Sequence, residues 1–136
     1  MTAKEYLLRY NAISKRATML QTEIERLRTE AESASINLDG MPKGSSGGDK
    51  MANIAVKLAE YETALQEELS EVWKTRMDII AKLGQLKNPK HQEILHRRYI
   101  ACERWEQIAV DMDITWRHCY RLHGLALKAF EEVMDA

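Results

Sequence analysis

The sequence predicts an all-α protein in two parts: a long antiparallel, coiled-coil-like helical hairpin over residues 1–87, then a three-helix domain over residues 88–136 containing a helix-turn-helix. Three observations predict it. Apolar residues recur at heptad spacing from Tyr6 to Ala34. A Gly/Ser stretch, NLDGMPKGSSGG, separates that run from a second apolar run that continues to Leu86. Residues 105–122, WEQIAVDMDITWRHCYRL, place apolar side chains where two short helices and a tight turn bury them. No strand pattern of alternating polarity occurs anywhere in the chain.

The first helix is expected over about residues 2–36. Tyr6, Tyr10, Ile13, Ala17, Leu20, Ile24, Leu27, Ala31 and Ala34 follow strict 4-3-4-3 spacing, a seam that at 1.5 Å per residue spans roughly 50 Å. Residues 37–48 then form a flexible connection, and Asp49 is the expected N-cap of a second helix over residues 49–86. That helix carries Met51, Ile54, Leu58, Tyr61 and Leu65 on one seam, a shift of four at Leu69, and Val72, Ile79, Leu83 and Leu86 beyond it. Such a shift reads as a stutter that locally unwinds a supercoil. Two long amphipathic helices joined by a short loop fold back antiparallel, each covering the apolar face of the other. A two-helix hairpin leaves part of that surface uncovered, so homodimerisation through it is expected. The glycine-rich loop is not a nucleotide site: it follows no strand, Lys43 is misplaced for a P-loop, and no magnesium-binding acid stands near it.

Asn88-Pro89 supplies an N-cap and a first-turn proline, opening a helix over about residues 89–100 with Ile94, Leu95, Tyr99 and Ile100 on its apolar side. Helices over about 103–112 and 115–134 complete the domain. Ile108, Ala109, Met112, Ile114, Cys119 and Leu122 point inward, while Glu106, Gln107, Asp111, Arg117, Tyr120 and Arg121 point outward. Ala109 is small where the two helices approach closely. Asp113 occupies a turn position that favours glycine, and Asp tolerates the left-handed backbone better than most residues. Thr115 is the expected N-cap of the last helix. A head of this size is marginal by itself and gains from attachment to the hairpin.

The last helix carries the chemistry. Between Thr115 and Lys128 lie the permanent cations Arg117, Arg121 and Lys128, two histidines and no acid. Arg117, Arg121, Gly124 and Lys128 align on one side with Trp116, Tyr120 and His123 beside them, while Cys119, Leu122, Ala126, Ala129, Phe130 and Val133 line the other. A basic helix face behind a tight turn suits the major groove of double-stranded DNA. Arg117, His118 and Arg121, near the helix start, are the candidates for base contact; Thr115, Trp116 and Tyr120 for phosphates or a thymine methyl; Arg104 and Lys128 for phosphates. Trp116 has a second reading, packing on Tyr120 or on a partner subunit. His118 and His123 do not share a face, so no metal pair forms.

The net charge is −1, from 20 basic and 21 acidic residues, unusual for a strong DNA binder. Residues 88–128 are locally positive, with seven Lys or Arg against five acids, while Glu131, Glu132 and Asp135 follow the basic stretch. Affinity per head is therefore modest and salt-sensitive. Cys102 and Cys119 are too few for a disulfide framework or a zinc motif. No nucleophile, base and orienting acid can be brought together and the histidines fall on exposed helix faces, which argues against an enzyme, a cofactor or a small-molecule substrate. With no signal peptide and no apolar run long enough to span a bilayer, a cytoplasmic protein without a membrane partner is expected.

Residues 93–130 resemble region 4 of bacterial sigma factors, the match being carried by Arg98-Tyr99, Ile108-Ala109 and Ala126-Leu127-Lys128. The whole chain is similar to phage-encoded sigma-factor-region-4-like transcriptional regulators, the group of the RinA- and ArpU-type late-gene activators. AKEYL at 3–7, GMPKGSSGGDK at 40–50, and RYI, WEQIA and RLHGLAL carry that likeness. It implies a phage or prophage regulator that binds promoter DNA and activates packaging and structural genes with host RNA polymerase. Asp113 in place of the usual Gly and the bulky Trp116 depart from the pattern and bear on which DNA sequence is read. Nothing resembles the promoter-melting part of a sigma factor. Two other classes combine similar parts: a small-terminase-like DNA-recognition subunit for genome packaging, and a polymerase-binding adaptor that never touches DNA.

Overall fold

A computed structural model describes residues 1–39 and 45–136, with side-chain surroundings for residues 1–34 and 49–136. The chain is all-helical, with no strand among the described residues: α1 (Ala3–Asp39), α2 (Ser45–Gly84), α3 (Pro89–Leu95), α4 (Trp105–Met112) and α5 (Trp116–Asp135), with a π-helical turn over His96–Ile100 after α3. The two long helices run past the ends that their apolar seams suggest. Both edges of the expected 37–48 connection are helical, and Asp49 lies inside α2 instead of capping it. Periodicity marks where burial begins, whereas helical hydrogen bonding continues beyond it. The rest of the connection, residues 40–44, and the phosphate question attached to it lie outside the described residues.

The chain forms two compact units, one made of Met1–Ile13 and Val72–Ala136, the other of Ser14–Glu71. The expected boundary at residues 87/88 thus falls inside the first unit. Its core explains why: Ala3, Leu7 and Tyr10 of α1 and Ile79, Leu83 and Leu86 are buried in one cluster with Ile94, Leu95, Ile108, Cys119, Leu122, Ala126 and Phe130. Three short helices supply too little apolar surface to close a core by themselves, and the ends of the long helices provide the missing wall. Phe130 is fully enclosed, with the Tyr6 ring 6.0 Å away. Each fully buried aliphatic side chain contributes about 1.5–3 kcal/mol.

In the second unit the two long helices run antiparallel, as the ion pairs Arg16–Glu68 at 3.8 Å and Arg28–Glu62 at 3.1 Å require. Among the described residues Ala17, Ile24, Leu27, Ala34 and Ile54 are buried in it, and those on α1 all belong to the predicted seam.

The shift of four expected at Leu69 of α2 falls instead at Leu83. Buried and half-buried positions alternate 4-3 through Ile54, Leu58, Tyr61, Leu65, Glu68, Val72, Thr75 and Ile79, a second consecutive step of four then leads to buried Leu83 and on to Leu86, and Leu69 is 48% exposed. Polar Glu68 and Thr75 stand in the seam where an apolar residue is expected, and Lys82 lies beside Leu83. Glu68 and Lys82 lay their stems along it while their charged ends reach Arg16 and Asp78.

In the first unit, α3 begins as expected, with the Asn88 side-chain oxygen accepting from the Lys90 N–H at 2.9 Å and Pro89 in the first turn. Helical backbone runs over the expected 89–100, but its last turn widens beyond Leu95, where the Ala101 N–H donates to the His96 carbonyl five residues back at 2.9 Å. This wider turn buries Tyr99 and turns Arg97 and Arg98 onto the residues that lead into α4. Cys102 then reverses the chain in the left-handed region at φ 57°.

Candidate functional site

The turn between α4 and α5 is held by backbone chemistry at both ends. Asp113 adopts φ 55°, ψ 50°, the left-handed conformation its short polar side chain tolerates. Its N–H donates to the Val110 carbonyl at 3.1 Å, and the Ile114 N–H to the Ala109 carbonyl at 3.0 Å, which satisfies two of the carbonyls that a helix end leaves open. Thr115 is extended, and its hydroxyl oxygen accepts from the His118 N–H at 3.2 Å, capping α5. Cys119, Leu122, Ala126 and Phe130 are buried, and they fix the rotation of α5 about its axis.

That rotation leaves Thr115, Trp116, Arg117, His118, Tyr120, Arg121, Gly124 and Lys128 exposed. Arg117 to Lys128 covers roughly 16 Å of helix. Trp116 is 45% exposed and leans on Tyr120 of its own helix, ring centroids 5.5 Å apart, which realises one of its two readings. Arg104 is exposed on a different element, at the residue before α4, and its side chain makes no cap bond there.

The cations of the head divide into two kinds. Arg97 is committed to three carboxylates, Glu93 at 3.0 Å and Glu103 and Asp111 at 3.2 Å. Arg98 donates to the Glu103 carbonyl at 3.0 Å and lies over the Trp105 ring at 4.6 Å. By contrast, Arg104, Arg117, Arg121 and Lys128 make no ion pair among the described residues. Three of the five acids between residues 88 and 128 are therefore gathered on Arg97, while the positive charge of α5 faces solvent uncompensated.

His123 departs from the exposed-face reading. It is half-buried, shares a 2.8 Å hydrogen bond between its Nε2 and the Tyr99 hydroxyl, and meets the Trp105 ring edge-on at 4.6 Å. Burial, with Lys4 and Arg98 adding to it, lowers its pKa from 6.5 to about 4, so it is neutral near pH 7 and adds no charge to the stripe. Burial likewise raises the Tyr99 hydroxyl above its ordinary value. A signal for this was present: 119, 123, 126 and 130 are spaced 4-3-4, which puts His123 on the edge of the buried stripe. The Glu93–Arg97 pair has an i,i+4 signature, but the Arg98–Trp105 stack and the reach of Arg97 to Glu103 and Asp111 have none, since they follow the widened turn.

These features define an all-helical protein whose last helix carries a solvent-facing cationic stripe, without ion-pair partners among the described residues, on a packed base. The chain belongs to the family described as Protein of unknown function (DUF1492), whose model matches residues 32–131, a span from the end of α1 into the last turns of α5. No curated protein and no solved structure matches the chain. Among the described residues, no helix is long and apolar enough to cross a membrane.

Proposed function

We propose that the protein is a sequence-specific double-stranded-DNA-binding transcriptional regulator of a phage or prophage, with α4, its left-handed turn and α5 acting as a helix-turn-helix of the sigma-region-4 kind. The observation that carries this reading is the stripe Arg117–Arg121–Lys128, exposed and without an ion-pair partner among the described residues, on a helix whose start is fixed by Asp113 and Thr115. An arginine left free of internal carboxylates is available to grip a guanine edge or a phosphate at no cost of breaking an existing pair. Arg117, His118 and Arg121 read bases; Thr115, Trp116 and Tyr120 contact the backbone or a thymine methyl; Arg104 and Lys128 hold phosphates. The likeness to late-gene activators supplies the rest: positive control of packaging and structural genes with host RNA polymerase, in the host cytoplasm, by a homodimer that presents two heads to a repeated or palindromic site.

Footprinting on intergenic DNA beside the gene tests this. A protected site is expected. Arg121→Ala should lose the preference for that site over random DNA, whereas Lys128→Ala should weaken all DNA about equally and reduce the salt slope by about one. Equal, sequence-independent losses from both would contradict the division of roles, and no protection at any salt would contradict the function.

A further inference from the structure

Besides its buried seam, α2 carries a second one that nothing in the described fold covers. Trp73, Met77, Ile80 and Gly84 are spaced 4-3-4, and the three large side chains are 62%, 50% and 38% exposed. Heptad spacing on an exposed helix face is the pattern of helix-to-helix packing. At its C-terminal end this seam opens into a groove of about 650 Å³, lined by Ile80, Leu83, Gly84, Pro89 and Ala101 with Glu93 and Glu103 among its polar walls. A Cβ added at Gly84 meets nothing within 4 Å, so the helix surface there is open.

We infer that a second copy of this chain docks on this face, α2 against α2 in antiparallel register, with Trp73 of each copy filling the groove at Gly84 of the other. The spacing selects that occupant. A 4-3-4 pattern reads the same in both directions, so a two-fold axis between residues 78 and 79 sets Met77 against Ile80 and Trp73 against Gly84 twice over. One copy thus brings the large protruding side chain and the other the hollow that receives it, as an isologous interface requires. Charge is compatible with that register: Lys74 and Arg76 follow Trp73, with Glu71 before it, and the groove's Glu93 and Glu103 share the single cation Arg97 that lines it with them, which leaves the groove one negative charge. Tryptophan entering a pocket at the centre of an interface is a common hot spot. The inference rests on the homodimer reading for the second copy and is independent of DNA.

Sedimentation velocity on the full chain tests it. The wild-type chain is expected to dimerise in the micromolar range. Trp73→Glu and Gly84→Leu should each weaken association by roughly 30-fold or more, the scale of a central hot spot, with far-UV circular dichroism unchanged. Val110→Glu, on an apolar side chain that is 73% exposed on α4, should leave the dimer intact. A wild-type chain monomeric throughout that range, or a dimer that survives both α2 substitutions, overturns the inference. A monomer that still protects its DNA site overturns the dimer face alone and leaves the DNA reading standing.

Discussion

The two units draw on the same pair of long helices but are held by different means. In the unit of Met1–Ile13 and Val72–Ala136, the short helices close over the long ones, and every large side chain that is fully enclosed in the described chain lies there: Phe130, Leu7, Ile79, Ile94, Leu95, Ile108 and Cys119. In the unit of Ser14–Glu71 two helices meet along one seam, with Met19 and Val56 left in solvent. Helical order alone therefore says little about how firmly a region is held. Enclosure requires a third element, and the first unit has it.

The largest effect that tests this contrast comes from cavity formation. Phe130→Ala should destabilise the first unit by about 3–5 kcal/mol, whereas Ile24→Ala in the second should cost about 2 kcal/mol, because flanking side chains and water relax into the space. Denaturant unfolding with amide exchange measures both, and faster exchange of residues 14–34 than of α5 is expected. Equal costs and equal exchange would erase the distinction.

A smaller effect concerns pH and belongs to the first unit alone. Because the folded pKa of His123 is below its ordinary 6.5, the unfolded chain takes up a proton first. The stability contributed by neutral His123 is complete above pH 6.5 and is lost as pH falls from about 6.5 toward about 4, a loss on the order of 2 kcal/mol once partial solvent access is allowed for. His123→Gln should flatten that part of the pH profile, as thermal unfolding across pH would show. Smaller still, Arg97→Ala should cost about 1–2 kcal/mol by releasing Glu93, Glu103 and Asp111 to repel one another, and rising salt should narrow the difference from wild type.

Local rules made much of both units readable in advance. The α1 seam from Tyr10 to Ala34, the buried side of α5, the caps at Asn88 and Thr115 and the left-handed Asp113 all follow from spacing and turn chemistry. The errors have a common cause. Hydrophobicity assigned Leu69 to the seam of α2, but helix geometry puts Glu68 there, and a residue's polarity does not reveal which way a long helix faces when polar stems share the seam. The π turn and the left-handed Cys102 carry no signature in residue type, so Glu103 and Asp111 beside Arg97, and the partners of Arg98, stayed hidden. For the candidate site, the exposure of Arg117, Arg121 and Lys128 was legible from periodicity, while the withdrawal of His123 needed its partner Tyr99 from another element.

The most direct test of the central claim is fluorescence anisotropy of duplex DNA titrated with wild-type and Arg117→Ala/Arg121→Ala protein over a range of salt. Wild-type binding should weaken linearly with the logarithm of salt concentration, and the double variant, its fold unchanged by circular dichroism, should lose its excess affinity for the specific site and bind it no better than random duplex. Identical affinity and slope for the two proteins would show that the exposed stripe of α5 does not meet DNA.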